Sequence, residues 1–125
     1  MQTLVWEAAR TMHMRDYPLP EVPANEVQIK VDYAGICGSE LSGYLGHNAL
    51  RTPPAVMGHE FSGTIADLGE EVTGLSVGQA VTVNPLDYCG ICAYCERGLN
   101  QLCVDRQLIG AHRPGAFAEY VSVPA

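Results

Sequence analysis

Two groups of residues in this sequence have types and spacings that could do chemistry. The first is Cys89-Gly-Ile-Cys92-Ala-Tyr-Cys95, with Cys103 following after one short excursion. Four thiolates close a tetrahedral shell around Zn²⁺ and leave no position for water or substrate, which is the pattern of a structural site rather than a catalytic one. Short Cys-x-x-Cys steps require the chain to curl tightly around one ion, and Gly90 and Gly98 ease those turns. A pair of disulfides is the rival reading. It needs an export signal and an oxidising compartment. The opening Met1-Gln-Thr-Leu-Val-Trp-Glu has neither the basic block nor the apolar core of such a signal, so a cytoplasmic location is expected. A redox Cys-x-x-Cys pair would open a helix after a strand and has no use for four cysteines. A nucleic-acid-binding zinc ribbon needs a basic surface, and the formal net charge here is −7.

The second group is the lone Cys37 and the pair His59-Glu60. Each has an ordinary reading. A single Cys after a strand is commonly a small buried hydrophobe. A single His in a strand is commonly a hydrogen-bonded core residue, and Glu60 alone reads as a surface charge. Spacing by itself does not decide between these readings and a metal role.

The elements that must position both groups are mostly strands. With 125 residues the chain is long enough for one domain with a modest core. Only seven Lys plus Arg stand against fourteen Asp plus Glu, which disfavours nucleic acid or an anionic membrane as partner. Residues 1–9 read as a first strand, paired as a hairpin with 12–17. Pro18, Pro20 and Pro23 force an extended passage. Residues 26–34 alternate strictly: Val27, Ile29, Val31 and Tyr33 on one face, Glu26, Gln28, Lys30 and Asp32 on the other. That pattern predicts a half-buried antiparallel strand. Residues 39–45 allow one or two helical turns, and 46–54 form a loop. Further strands are expected at 62–68, 77–83 and 115–123. Short strands, frequent Gly and Pro and little helix make the fold mainly β, a barrel or sandwich.

Gly58-His59-Glu60-Phe-Ser-Gly63, with Gly69 and Val72 beyond it, resembles the signature of zinc-dependent medium-chain alcohol dehydrogenases. Gly35-Ile-Cys37-Gly38-Ser39-Glu40 looks like that family's catalytic-cysteine turn. The four-cysteine lobe, residues 89–103, is similar to its structural zinc lobe, and 115–121 to the strand that follows. The resemblance covers essentially the whole chain and is nearest to the polyol, threonine and sugar-alcohol dehydrogenase branches. It implies a GroES-like N-terminal catalytic domain over residues 1–125: a partly open antiparallel β-barrel with a zinc-stapled loop lobe and short helices. It also implies an oxidoreductase acting on a small alcohol or polyol, with a Rossmann domain for NAD or NADP in the same protein. Carried over by position, Cys37 and His59 become ligands of a catalytic zinc, a soft thiolate and an imidazole with one position left open. Glu60 becomes the adjacent carboxylate able to approach the metal. Ser39 becomes the hydroxyl that takes the alcohol proton while hydride leaves for the nicotinamide. Glu40 stands where the family usually has Asp, which orients the zinc-bound imidazole. Ser42 stands where many members have a relay His, and Val77-Gly78-Gln79-Ala80-Val81 replaces a common Gly-Asp-Arg-Val.

No Gly-x-Gly-x-x-Gly fingerprint opens a helix anywhere in the sequence. The expectation is therefore a domain that does not oxidise alcohols by itself, with one firmly held zinc at Cys89, Cys92, Cys95 and Cys103 and an incomplete shell at Cys37, His59 and Glu60. The alternatives are a stand-alone zinc-stabilised binding module and a ring-forming co-chaperonin, which has no use for Gly58-His59-Glu60.

Overall fold

A computed structural model describes residues 1–125. In chain order the strands are β1 (Gln2–Ala8), β2 (Thr11–Asp16), β3 (Glu26–Ala34), β4 (Ala55–Val56), β5 (Phe61–Leu68), β6 (Ala80–Thr82), β7 (Leu86–Asp87), β8 (Gln107–Leu108) and β9 (Tyr120–Pro124). One α-helix, α1 (Gly38–Tyr44), lies between β3 and β4, and two 3₁₀ turns, Cys95–Arg97 and Asn100–Leu102, lie in the cysteine lobe. No helix is long and apolar enough to cross a membrane.

The strands form three open sheets, with orders β2-β1-β4, β6-β5-β3-β9 and β7-β8. All pairings between named strands are antiparallel. The partly open barrel expected from the resemblance is thus realised without closure. The segment leading into β9 joins β1: Thr3 bridges Ala118, the Leu4 N–H donates to the Phe117 carbonyl at 2.8 Å and the Glu119 N–H to the Gln2 carbonyl at 3.1 Å. The expected hairpin is present, and its turn uses Arg10 at φ 63°.

Central β3 pairs with β5 on one side and β9 on the other. Val27, Ile29, Val121 and Val123 meet Phe61, Ile109 and Ala116 in the main buried cluster. Two expectations about β3 are corrected. Its first half is buried on both faces, because Gln28 donates to the Pro20 carbonyl at 2.9 Å and the Glu26 carboxylate takes Arg113 Nη2 at 2.6 Å. Its last residues run past the core, leaving Tyr33 79% exposed instead of facing inward with Val27. The strands expected at 77–83 and 115–123 are shortened. Val77 and Gly78 form a turn, with Gly78 at φ 87°. Residues 115–117 leave the sheet order to bond 56–58 instead.

Candidate metal centres

In the lobe, the four sulfurs of Cys89, Cys92, Cys95 and Cys103 all lie within 4.8 Å of one another. Cys103 is fully buried, and its Sγ stands 3.5 Å from Cys89 Sγ. A disulfide needs about 2.05 Å, and all five cysteines are free thiols. Zinc–sulfur bonds of about 2.3 Å place tetrahedral sulfurs roughly 3.8 Å apart, so the donor set fits a closed four-thiolate site. Gly90 and Gly98 adopt φ of 74° and 73°, the left-handed turns that let successive sulfurs point at one centre. Backbone N–H groups of Cys95 and then Val104 draw the Cys92 thiol down from 9.0 to about 6. Burial, then the hydrogen bond to Cys92, pushes Cys95 up to about 12.

The second centre forms where β3, α1 and β5 converge. Ligand atoms of Cys37, Glu40 and His59 lie within 4.8 Å of one another. Cys37 is the N-cap of α1, and Glu40, three residues on, reaches back so that its Oε2 accepts the Cys37 N–H at 3.0 Å. Glu40 Oε1 meets His59 Nδ1 at 2.6 Å and Arg51 Nη2 at 2.9 Å. The extra methylene of Glu over Asp therefore still permits contact with the imidazole. With Nδ1 hydrogen-bonded to the carboxylate, Nε2 keeps its lone pair for a metal. Glu40 is 2% exposed, so its charge is balanced by Arg51 rather than by water.

Glu60 lies outside this trio. His59 and Glu60 are consecutive residues entering a strand, and consecutive side chains of extended backbone point to opposite sides. Glu60 is exposed. Its carbonyl accepts the Gly35 N–H at 2.7 Å, and its carboxylate rests against Gly35. Together with Tyr33, His59, Ser62 and Thr82 it lines an open depression of about 600 Å³. Ser39 is half-buried on α1, its Oγ 3.4 Å from Arg51 Nη2.

A junction of three glycines holds His59 in place. Residues 56–58 receive N–H bonds from Gly115, Ala116 and Phe117, each 2.9 Å long. A Cβ on Gly110 would stand 2.7 Å from the Gly58 carbonyl oxygen, and one on Gly115 would be 2.6 Å from Gly110 Cα. Backbone packs directly on backbone here, and no other residue allows it. Arg51 was not legible from sequence. It sits in an irregular loop, and its partner Gly110, whose carbonyl takes Nε–H at 3.0 Å, is 59 residues away.

Residues 23–125 match the alcohol dehydrogenase GroES-like domain. The chain belongs to that family. Among curated relatives of this GroES-like domain, the starvation-sensing protein RspB of Escherichia coli K12 is 39% identical over all of the chain and 37% of its own length. A sorbitol dehydrogenase of Halalkalibacterium halodurans is 42% identical over 97% of the chain and 36% of its own length. Galactitol-1-phosphate dehydrogenase from Escherichia coli superposes with a TM-score of 0.95 at 34% identity, covering 99% of this chain and 36% of that one. A short chain alcohol dehydrogenase (rspB) from Escherichia coli CFT073, solved with NADH, gives 0.93 at 39% identity, covering 99% and 36%. The GroES-like domain thus spans little more than a third of the relatives it matches.

Proposed function

We propose that this chain is the metal-holding catalytic domain of a zinc-dependent NAD(P) alcohol or polyol dehydrogenase, completed by a dinucleotide-binding Rossmann domain in the same protein. The observation that carries the reading is the convergence of Cys37, Glu40 and His59 within 4.8 Å beside an open depression. The donor set fits zinc: a soft thiolate and an imidazole, with a carboxylate behind the imidazole. Zinc bound there would supply Lewis-acid polarisation of an alcohol oxygen, with a nicotinamide as the hydride acceptor.

The chain's own residues have separable tasks. Cys37 and His59 Nε2 would hold the metal. Glu40 accepts the His59 Nδ1 proton in a hydrogen bond and so fixes tautomer and ring angle. Ser39 takes the alcohol proton: its Oγ accepts from Arg51 at 3.4 Å, which leaves one lone pair and the hydroxyl proton available for exchange. Ser42 cannot carry that proton outward as a histidine would, so the relay continues through water or cofactor hydroxyls. Glu60, on the depression's rim, sets the field that the substrate meets. Cys89, Cys92, Cys95 and Cys103 hold a second zinc that orders the lobe. The sorbitol dehydrogenase relative supports a polyol as substrate class. Five free thiols fit a reducing, cytoplasmic compartment.

Zinc per chain, by elemental analysis after dialysis in reducing buffer, tests this. About one zinc is expected from the four-thiolate site, with a second taken up only when metal is supplied in excess. A folded chain holding no zinc would overturn the reading.

A further inference from the structure

We propose that Arg51 is a positioning residue of the Cys37–His59 metal site, acting through Glu40. This rests on the reading of that site given above. Arg51 is the one buried cation among the seven Lys and Arg of the chain. Its side chain is 1% exposed and its partner Glu40 2%. A buried ion pair is poor value for stability, because desolvation offsets most of the attraction and an apolar pair of similar volume would serve the fold as well. Its placement is better explained by what it touches. Nε donates to the Gly110 carbonyl at 3.0 Å, Nη1 to the Ser39 carbonyl at 3.1 Å and Nη2 to Glu40 Oε1 at 2.9 Å. One planar fork therefore ties α1 to the glycine junction that carries His59.

The helix itself makes room for this side chain. Gly43 lies in α1, where glycine weakens a helix. A Cβ there would stand 3.1 Å from Arg51 Cδ and 3.3 Å from Met57 Sδ. Glu40 Oε1 is shared between His59 Nδ1 at 2.6 Å and Arg51 Nη2, while Arg51 Nη2 is 3.4 Å from Nδ1. The shorter contact makes Nδ1–H the donor and the Glu40 carboxylate the acceptor. Arg51 and the Cys37 N–H thus hold the two oxygens of Glu40 from opposite sides, and the longer, more flexible Glu side chain acquires the fixed orientation that a shorter Asp would have by itself.

Cobalt titration of the chain, with its four-cysteine site first filled with zinc, tests the proposal. Cys37 is then the one thiolate left, so the thiolate-to-cobalt charge-transfer band reports the second site alone. The wild type is expected to take up one cobalt, and Cys37→Ser none. Arg51→Met should weaken cobalt binding about 10- to 100-fold and change the ligand-field spectrum. Arg51→Lys should recover part of the affinity, since it restores the charge without the fork. The double variant Glu40→Gln/Arg51→Met removes the unpaired buried carboxylate and serves if Arg51→Met fails to fold; it should bind as weakly as Glu40→Gln alone and no more weakly, because Arg51 acts through Glu40. Binding within about twofold of wild type and an unchanged spectrum in Arg51→Met or the double variant would overturn the role of Arg51 while leaving the site intact. A wild type that takes up no cobalt, or a Cys37→Ser variant that binds normally, would overturn the site reading itself, and this inference with it.

Discussion

Replacing Gly115 by alanine perturbs the junction that carries His59 through a single methyl group. The backbone of Gly115 lies outside the left-handed region, so alanine meets no conformational penalty there. The added carbon would press on the Gly58 carbonyl oxygen and stand 2.6 Å from both Gly110 Cα and the Met57 carbonyl oxygen. All three obstacles are backbone, so no side chain can swing aside. Overpacking of this kind costs about 3 kcal/mol, the top of the usual range. Displacing residues 115–117 also endangers their three bonds to 56–58, each contributing about 1 kcal/mol net. For a chain of this size, each kcal/mol corresponds to roughly 4 °C in melting temperature, which puts the expected loss at roughly 12 °C from overpacking alone and roughly 24 °C if all three bonds are lost as well. Thermal unfolding followed by far-ultraviolet circular dichroism, with zinc present, measures it. Gly38→Ala is the internal control. A Cβ at Gly38 meets nothing within 4 Å, and alanine in a helix gains up to about 1 kcal/mol over glycine. A Gly115→Ala melting point within about 2 °C of wild type would refute the backbone-contact argument.

Cys103→Ser should lose the lobe's zinc and expose residues 88–106 to protease while the sheet around β3 stays protected; unchanged zinc content would exclude the four-thiolate assignment. Chelation of the wild type should give the same lobe-restricted cleavage, since both 3₁₀ turns lie within the stretch from Cys95 to Cys103. The pH dependence at the β1–β2 hairpin has a definite sign. The hydrogen bond from His13, then that from Arg15, holds the Glu7 carboxyl below its ordinary 4.5. A depressed carboxyl contributes stability that is present above its unfolded value and lost as pH falls through its folded one. The melting-temperature difference between wild type and Glu7→Gln should therefore be small and positive near pH 7 and shrink on acidification below the ordinary carboxylate range. A difference that grows on acidification would contradict it.

The amino-acid sequence by itself determined whatever depends on neighbours along the chain. The hairpin followed from alternation on both sides of a short turn. The four-cysteine cluster followed from thiols that all lie between Cys89 and Cys103, so no distant contact is needed to bring them together. Helix α1 and the Cys37–Glu40 bond are equally local, closing over three residues. Tertiary structure decided the rest. Alternation in β3 indicated one buried face, but Arg113, distant in sequence, and the proline passage at Pro20 cover the other as well. The expected strand at 115–123 gave up its first residues because bonding to 56–58 competes with the sheet for the same backbone groups. The contact of Glu40 with His59, 19 residues away, agrees with what the family resemblance implied, but the separation of Glu60 from that cluster appears only in the fold. Adjacent side chains of extended backbone diverge, whereas residues far apart in sequence meet wherever the fold brings their elements together. For the same reason Arg51 carries no local signal: its position has meaning only once α1, the 56–58 segment and Gly110 have been packed around it.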